Sequence, residues 1–180
     1  MRIAEISFGE GKGRLGLTIC PGKKDPVRGW NRDLIEDLSV VQRWGAKAIV
    51  KLIEDHEFAL LAVPDLGKRV VAMGMDWHHL PIRDVDVPDG RFEGAWPVSG
   101  LAIQNCIDAG ESVLIHCRGG IGRTGLVAAR LLIERGGRPR DAINRVRAVR
   151  PGAIETLAQE AYVMNTVFPM PGELGSSNDE

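Results

Sequence analysis

Apolar positions along the chain switch between a period near two and a period near three and a half, and the switches predict alternating strands and helices. Residues 2–8 and 15–20 alternate or run apolar between glycines, which predicts an edge hairpin turned by Gly9-Glu10-Gly11-Lys12-Gly13. Leu34, Ile35, Leu38, Val41 and Trp44 then fall on one helical face, with Asn31 or Asp33 available as cap and Gly45 as stop. Residues 48–52 read as a buried strand, 56–62 and 64–73 as two short helices divided at Pro64, and 76–80 as a strand ended by Pro81. Residues 82–94 hold four acids, a proline and two glycines and read as a surface loop. A helix follows over 95–109 and a short apolar strand of the fully buried type over 112–116. From Gly122 an apolar helix runs to Gly136-Gly137, Pro139 opens another, and 155–168 supply the last. Residues 169–180 read as a flexible tail, leaving one domain over 1–168. Strands alternating with helices predict an α/β fold with a mostly parallel central sheet flanked by helices on both faces.

Composition narrows the functional classes. At 180 residues the chain can bury a real core, and its net charge of -1 supplies no field that would hold it on nucleic acid or an anionic membrane. The longest unbroken apolar run, 58–63, is far too short to cross a bilayer. Three cysteines (Cys20, Cys106 and Cys117) do not make a disulfide framework, and the first residues lack a signal-peptide core, so a reducing, cytoplasmic setting is expected. Residues 118–150 carry nine arginines against two acids, whereas 151–180 carry five acids and no Lys or Arg. Most of those arginines read as a solvated helix face.

The segment with chemistry in it is Val113-Leu-Ile-His-Cys-Arg-Gly-Gly-Ile-Gly-Arg-Thr-Gly125, a buried strand that enters a glycine-rich loop and opens a helix. Gly119, Gly120 and Gly122 let the backbone N–H groups of residues 118–123, including those of Arg118 and Ile121, turn inward on an anion. The helix N-terminus points at the same place. Cys117 sits at the strand end in that field, which favours the nucleophilic thiolate. Arg123 returns to the loop mouth, where a planar guanidinium can hold two phosphate oxygens.

Cys followed by five residues and Arg, here as His116-Cys117-Arg118-Gly119-Gly120-Ile121-Gly122-Arg123-Thr124, resembles the signature of the cysteine-dependent protein phosphatases. Leu15-Gly-Leu-Thr-Ile-Cys-Pro-Gly-Lys23, His78-His-Leu-Pro-Ile-Arg-Asp84 and Gly152-Ala-Ile-Glu-Thr-Leu-Ala-Gln159 are similar, in the same order, to the kinase-associated phosphatase (cyclin-dependent kinase inhibitor 3) family of dual-specificity phosphatases. The resemblance implies in-line attack by Cys117, a phosphocysteine intermediate, no cofactor and no metal. It matches Asp84 to the family's general acid, with Asp86 and Asp89 as competitors on the same loop. Thr124 would hydrogen-bond the departing sulfur, Gln159 resembles the glutamine that positions hydrolytic water or is a plain surface helix residue, and His116 orients the loop.

The implied substrates are phosphoproteins or phosphopeptides bearing phosphotyrosine, phosphoserine or phosphothreonine. A kinase is a partner class the resemblance names, although no residue outlines a kinase interface. Two alternatives stay open: the same chemistry on a phosphoinositide, sugar phosphate or RNA 5′-phosphate, and a phosphoresidue-binding module without turnover. A rhodanese-like sulfurtransferase would lack the Arg-Thr helix opening. Gly11-Lys-Gly-Arg-Leu-Gly16 matches a dinucleotide fingerprint only formally, since it leads into a strand. Trp96-Pro97 resembles the start of the Trp-Pro-Asp loop of larger tyrosine phosphatases, but Val98 follows, and the pair reads as a helix start. Cys20 or Cys106 could pair with an oxidised Cys117.

Overall fold

The computed structural model describes residues 1–168, so the expected tail over 169–180 lies outside the described residues. Five strands form the central sheet: β1 (Ala4–Ser7), β2 (Arg14–Ile19), β5 (Ala46–Lys51), β6 (Asp76–His79) and β7 (Ser112–Cys117), in the order β1-β2-β7-β5-β6. Only β1 is antiparallel, pairing with β2 as the edge hairpin; β2, β7, β5 and β6 run parallel. Around them lie α1 (Leu34–Trp44), α2 (Asp55–Leu60), α3 (Leu66–Ala72), α4 (Gly90–Asp108), α5 (Gly122–Glu134), α6 (Pro139–Val149) and α7 (Leu157–Asn165). The predicted α/β architecture with a mostly parallel sheet is the one observed.

The core follows from β7, whose six residues are all buried, as a central parallel strand covered on both faces must be. Leu114 and Ile115 are fully enclosed, with Leu17 and Ile49 beside them and Leu126 and Val127 of α5 packed in the same cluster. The strand runs one residue beyond the predicted end, so Cys117 itself pairs with Ile19 of β2. Because four neighbouring strands are parallel, the segments after β2, β5, β6 and β7 all emerge at one edge of the sheet, where open α/β folds place their ligands.

Several predicted boundaries move, each for a local reason. Asp33 rather than Asn31 caps α1, accepting from the Glu36 N–H at 2.9 Å. The loop predicted over 82–94 ends early, because Asp89 accepts from the Arg91 and Phe92 N–H groups and starts α4 at Gly90. Trp96-Pro97 is therefore not a helix start. Pro97 sits inside α4, where the missing N–H would normally weaken a helix. Tertiary contacts override that propensity: Trp96 stacks on Phe92 at 5.2 Å and donates its indole N–H to Glu134 at 2.7 Å.

The final helix covers Leu157–Asn165, with Glu155 and Thr156 preceding it and Thr156 as its cap. A two-residue ladder, β3 (Lys24–Asp25) with β4 (Trp30–Asn31), joined by a 3₁₀ turn over Pro26–Arg28, has no counterpart in the sequence reading. No described helix is long and apolar enough to cross a membrane.

Candidate active site

The glycine-rich loop is built as its spacing predicts. Gly120 has a φ of +65°, and a Cβ there would stand 2.2 Å from the Thr18 carbonyl oxygen, so no other residue fits. Its N–H donates to the Cys117 sulfur at 3.2 Å, the first of the inward-turned amides. Arg150, at the end of α6, donates to the Gly120 and Gly119 carbonyls at 2.9 and 3.1 Å. Those carbonyls are thereby turned away from the anion site, which leaves the N–H side of the loop facing it.

Arg123 is 1% exposed and almost fully engaged. Glu57 accepts two hydrogen bonds from it, at 2.6 and 3.0 Å, and the Ile82 carbonyl accepts a third at 3.1 Å. Glu57 is itself locked by the capping box of α2, accepting from the Glu54 N–H at 2.8 Å. Burial would raise the Glu57 carboxyl, but the Arg123 hydrogen bonds outweigh it and hold Glu57 below its ordinary value. Against the opposing effect of its own burial, Arg123 is in turn pushed further toward the charged form by Glu57. The pair fixes the guanidinium at the floor of the cleft.

Asp84 occupies the remaining side, with a carboxylate oxygen 2.8 Å from the second Arg123 nitrogen while 51% of its side chain stays exposed. Asp84, Cys117, Arg123 and the loop residues Arg118, Gly119, Ile121 and Gly122 share a cleft of about 230 Å³ with Lys23, Arg28, Val85 and Glu155. The two rival acids are placed elsewhere. Asp89 caps α4 and pairs with Arg91 at 2.9 Å, and Asp86 accepts from the Val87 N–H. Val85, between Asp84 and Asp86, has a φ of +57°, unfavourable for a β-branched residue and a mark of strain at the turn of this loop.

Gln159 is fully buried rather than a surface helix residue. Its amide nitrogen donates to the Asp86 carbonyl at 3.0 Å, and its oxygen accepts from the Glu155 and Thr156 N–H groups. The side chain thus ties the acid-bearing loop to the start of α7. Thr124 Oγ1 is buried without a hydrogen-bond partner among the described residues. Cys20 and Cys106 carry free thiols, and burial pushes both above their ordinary value.

His116 is fully buried beside these groups, and burial lowers its pKa to about 3, so its ring is neutral at physiological pH. A histidine depressed in the folded state binds fewer protons than in the unfolded chain, so its stabilisation is complete above about pH 6.5 and is lost as pH falls toward about 3. Each pH unit inside that window removes about 1.4 kcal/mol, or about 2 kcal/mol between pH 7 and pH 5. Urea unfolding at those two pH values should show this loss in the wild type and a shallower one in His116→Gln. An equal slope in both proteins would contradict the assignment.

Residues to which the sequence assigned no place in the site are Glu57, Arg150, Lys23 and Arg28. Only Glu57 had a local signal, the Glu54-x-x-Glu57 spacing of a capping box. The expectation that most arginines of 118–150 form a solvated face is corrected: Arg130 is buried between Glu93 and Glu134, Arg135 bonds Gln104 and Asp108, and Arg147 and Arg150 hold backbone carbonyls. Arg138, Arg140 and Arg145 are the exposed members of the run and fit the solvated picture.

The family model described as "Tc-R-P: Polymorphic toxin system, DSP-PTPase phosphatase" matches residues 26–137. Cyclin-dependent kinase inhibitor 3 of Rattus norvegicus is 32% identical over 152 residues, covering 83% of this chain and 69% of the relative. Protein tyrosine phosphatase type IVA 3 of Bos taurus is 34% identical over 133 residues, covering 73% and 69%. Among solved structures, kinase associated phosphatase with its catalytic site cysteine replaced by serine superposes with a TM-score of 0.80 at 29% identity, covering 91% of this chain and 92% of that one. Tk-PTP in its active form gives 0.65 at 27% identity, covering 93% and 100%. With a buried strand delivering Cys117 into an amide-lined loop and these relatives sharing most of its length, the chain belongs to the dual-specificity branch of the cysteine-based protein tyrosine phosphatases.

Proposed function

We propose that the protein hydrolyses phosphotyrosine and phosphoserine or phosphothreonine in proteins, with Cys117 as nucleophile and Asp84 as general acid. The Cys117 thiolate attacks phosphorus in line, an S–P bond forms as the P–O bond to the substrate breaks, and Asp84 gives its proton to the departing oxygen. The amides of residues 118–123 and the Arg123 guanidinium hold the three equatorial oxygens as charge spreads over them. Asp84 then takes a proton from water, the new O–P bond displaces sulfur, and the unpartnered Thr124 hydroxyl donates to the leaving thiolate. His116, neutral and enclosed, orients the loop and moves no proton. Gln159 acts here as the anchor of the acid loop, because both ends of its amide are already engaged.

The observation that carries this reading is the meeting of Cys117 and Arg123, from one strand–loop–helix segment, with Asp84, from a distant loop, in one small cleft. Dual specificity is supported by the lining, which among the described residues contains no aromatic ring to clamp a phenol. The test is phosphate release from matched phosphotyrosine and phosphothreonine peptides beside a panel of inositol lipids and sugar phosphates. Turnover of both peptides is expected. Peptide binding without turnover would make the protein a phosphoresidue-binding module, and turnover confined to the lipid or sugar panel would move the substrate outside proteins.

A further inference from the structure

The cleft is not electrically uniform. Its lining carries the carboxylates of Asp84 and Glu155 together with Lys23, Arg28 and Arg118, and these three cations gather around a single acid, Asp25. Arg118 donates to Asp25 at 3.1 Å but leaves its Nε–H buried without a partner. Lys23 is the unusual member. It is 3% exposed, yet its ammonium forms no ion pair among the described residues and rests instead over the Trp30 ring, 5.0 Å from the centroid. A buried ammonium without a counter-charge is costly, and lysines are seldom this enclosed unless paired. Burial first, then the charges of Arg118 and Arg28, hold Lys23 below its ordinary value against the pull of Asp25.

The backbone that carries Lys23 is built to stay in place. The Gly22 N–H donates to Asp37 at 2.9 Å, the Lys24 N–H to the Leu61 carbonyl at 2.9 Å, and the Lys23 carbonyl accepts from the Arg32 N–H at 3.1 Å. Asp37 is in turn gripped by Arg32. A lysine held only to cover Trp30 would need none of its charge, and a methylene stem would serve. Here Lys23 lines the same cleft as Cys117.

We propose that Lys23, with Arg28 and Arg118, forms a second anion subsite beside the catalytic loop, so that the preferred substrate is a phosphopeptide with an acidic side chain or a second phosphoresidue next to the one hydrolysed. This rests on the protein-phosphatase reading above. Asp84 and Glu155 in the same lining repel such an anion, which favours its lying on the side of Lys23, Arg28 and Arg118.

Three phosphotyrosine peptides that differ only beside the phosphoresidue (Gln, Glu or phosphoserine) test this on the wild type, Lys23→Met and Lys23→Met/Arg28→Gln, with p-nitrophenyl phosphate as a substrate without a second anion. Wild-type kcat/KM is expected to be about tenfold higher for the anionic neighbours than for Gln, mainly through KM. The preference should collapse toward unity in the double variant, with p-nitrophenyl phosphate losing much less than the anionic peptides. Lys23→Met keeps the stem over Trp30, so unfolding stability serves as the control for folding. Equal turnover of the three peptides by the wild type, a preference surviving in the double variant, or a soluble inositol polyphosphate outcompeting every peptide would overturn the proposal. Absence of all turnover would count instead against the phosphatase reading, and calorimetric binding of the same peptides to Cys117→Ser would still decide the subsite.

Discussion

Cys117→Ser is expected to lower kcat on every phosphomonoester by at least about four orders of magnitude while phosphopeptide binding changes only a few-fold. The size of the loss follows from what the sulfur does. It sits 3% exposed at the end of β7, 3.2 Å from the Gly120 nitrogen, in a loop that opens α5 and so suits an anion. A serine hydroxyl in the same place stays protonated, and no described group stands ready as its base: His116 is enclosed and neutral, and Glu57 is consumed by Arg123. The oxyanion contacts survive the substitution, since Gly120 keeps its φ of +65° and Arg123 keeps its Glu57 partner. Phosphate release by single-turnover assay, beside calorimetric binding of the same peptide, separates the two effects. Residual turnover above about one per cent would place the nucleophile elsewhere.

What could be read from the sequence was local in the chain. Cys117 and Arg123 lie six residues apart on a strand, a glycine loop and a helix start, and each of those leaves a signature within a few residues. The parallel sheet was legible for the same reason, since β7 carries an apolar run over Val113–Ile115 and the short edge hairpin is flanked by glycines. What escaped depends on distant pairing. Glu57 reaches Arg123 across 66 residues, and Arg150 reaches the Gly119 and Gly120 carbonyls across 31 and 30, so neither spacing nor composition announces them.

Pro97 misled for a related reason: propensity argues against an interior proline, whereas Trp96, held by Glu134 and stacked on Phe92, decides in favour of a continuous helix. The different placements of the three loop acids also depend on three dimensions. Asp89 is committed to capping α4 and Asp86 to its own loop, and only Asp84 turns to Arg123.

Asp84→Ala is expected to lower kcat on phosphotyrosine and phosphothreonine peptides by about 10² to 10³, to lower it by no more than about tenfold on p-nitrophenyl phosphate, and to tighten inhibition by inorganic phosphate. The first two follow from the leaving group. A serine or threonine alkoxide, and to a lesser degree a tyrosine phenoxide, must be protonated as it departs, whereas p-nitrophenolate leaves without much help. The third follows from the geometry of Arg123. One guanidinium nitrogen is spoken for by Glu57 and the Ile82 carbonyl, and the other is shared between Glu57 and Asp84. An incoming phosphate must therefore displace Asp84 to gain a two-point hold, and removing that carboxylate removes both the competitor and a like charge. A three- to tenfold lower inhibition constant for phosphate is about the worth of one charge-assisted hydrogen bond freed at a partly exposed site.

The neighbouring acids supply the contrast. Asp89→Ala should lose about 1 kcal/mol of stability as a helix cap is removed, and its peptide and p-nitrophenyl phosphate rates should keep their wild-type ratio. Should Asp84→Ala lower both substrates by the same factor, or bind phosphate more weakly than the wild type, its contact with Arg123 would be structural and the acid would have to come from another carboxylate at the cleft, of which Glu155 is the one within reach.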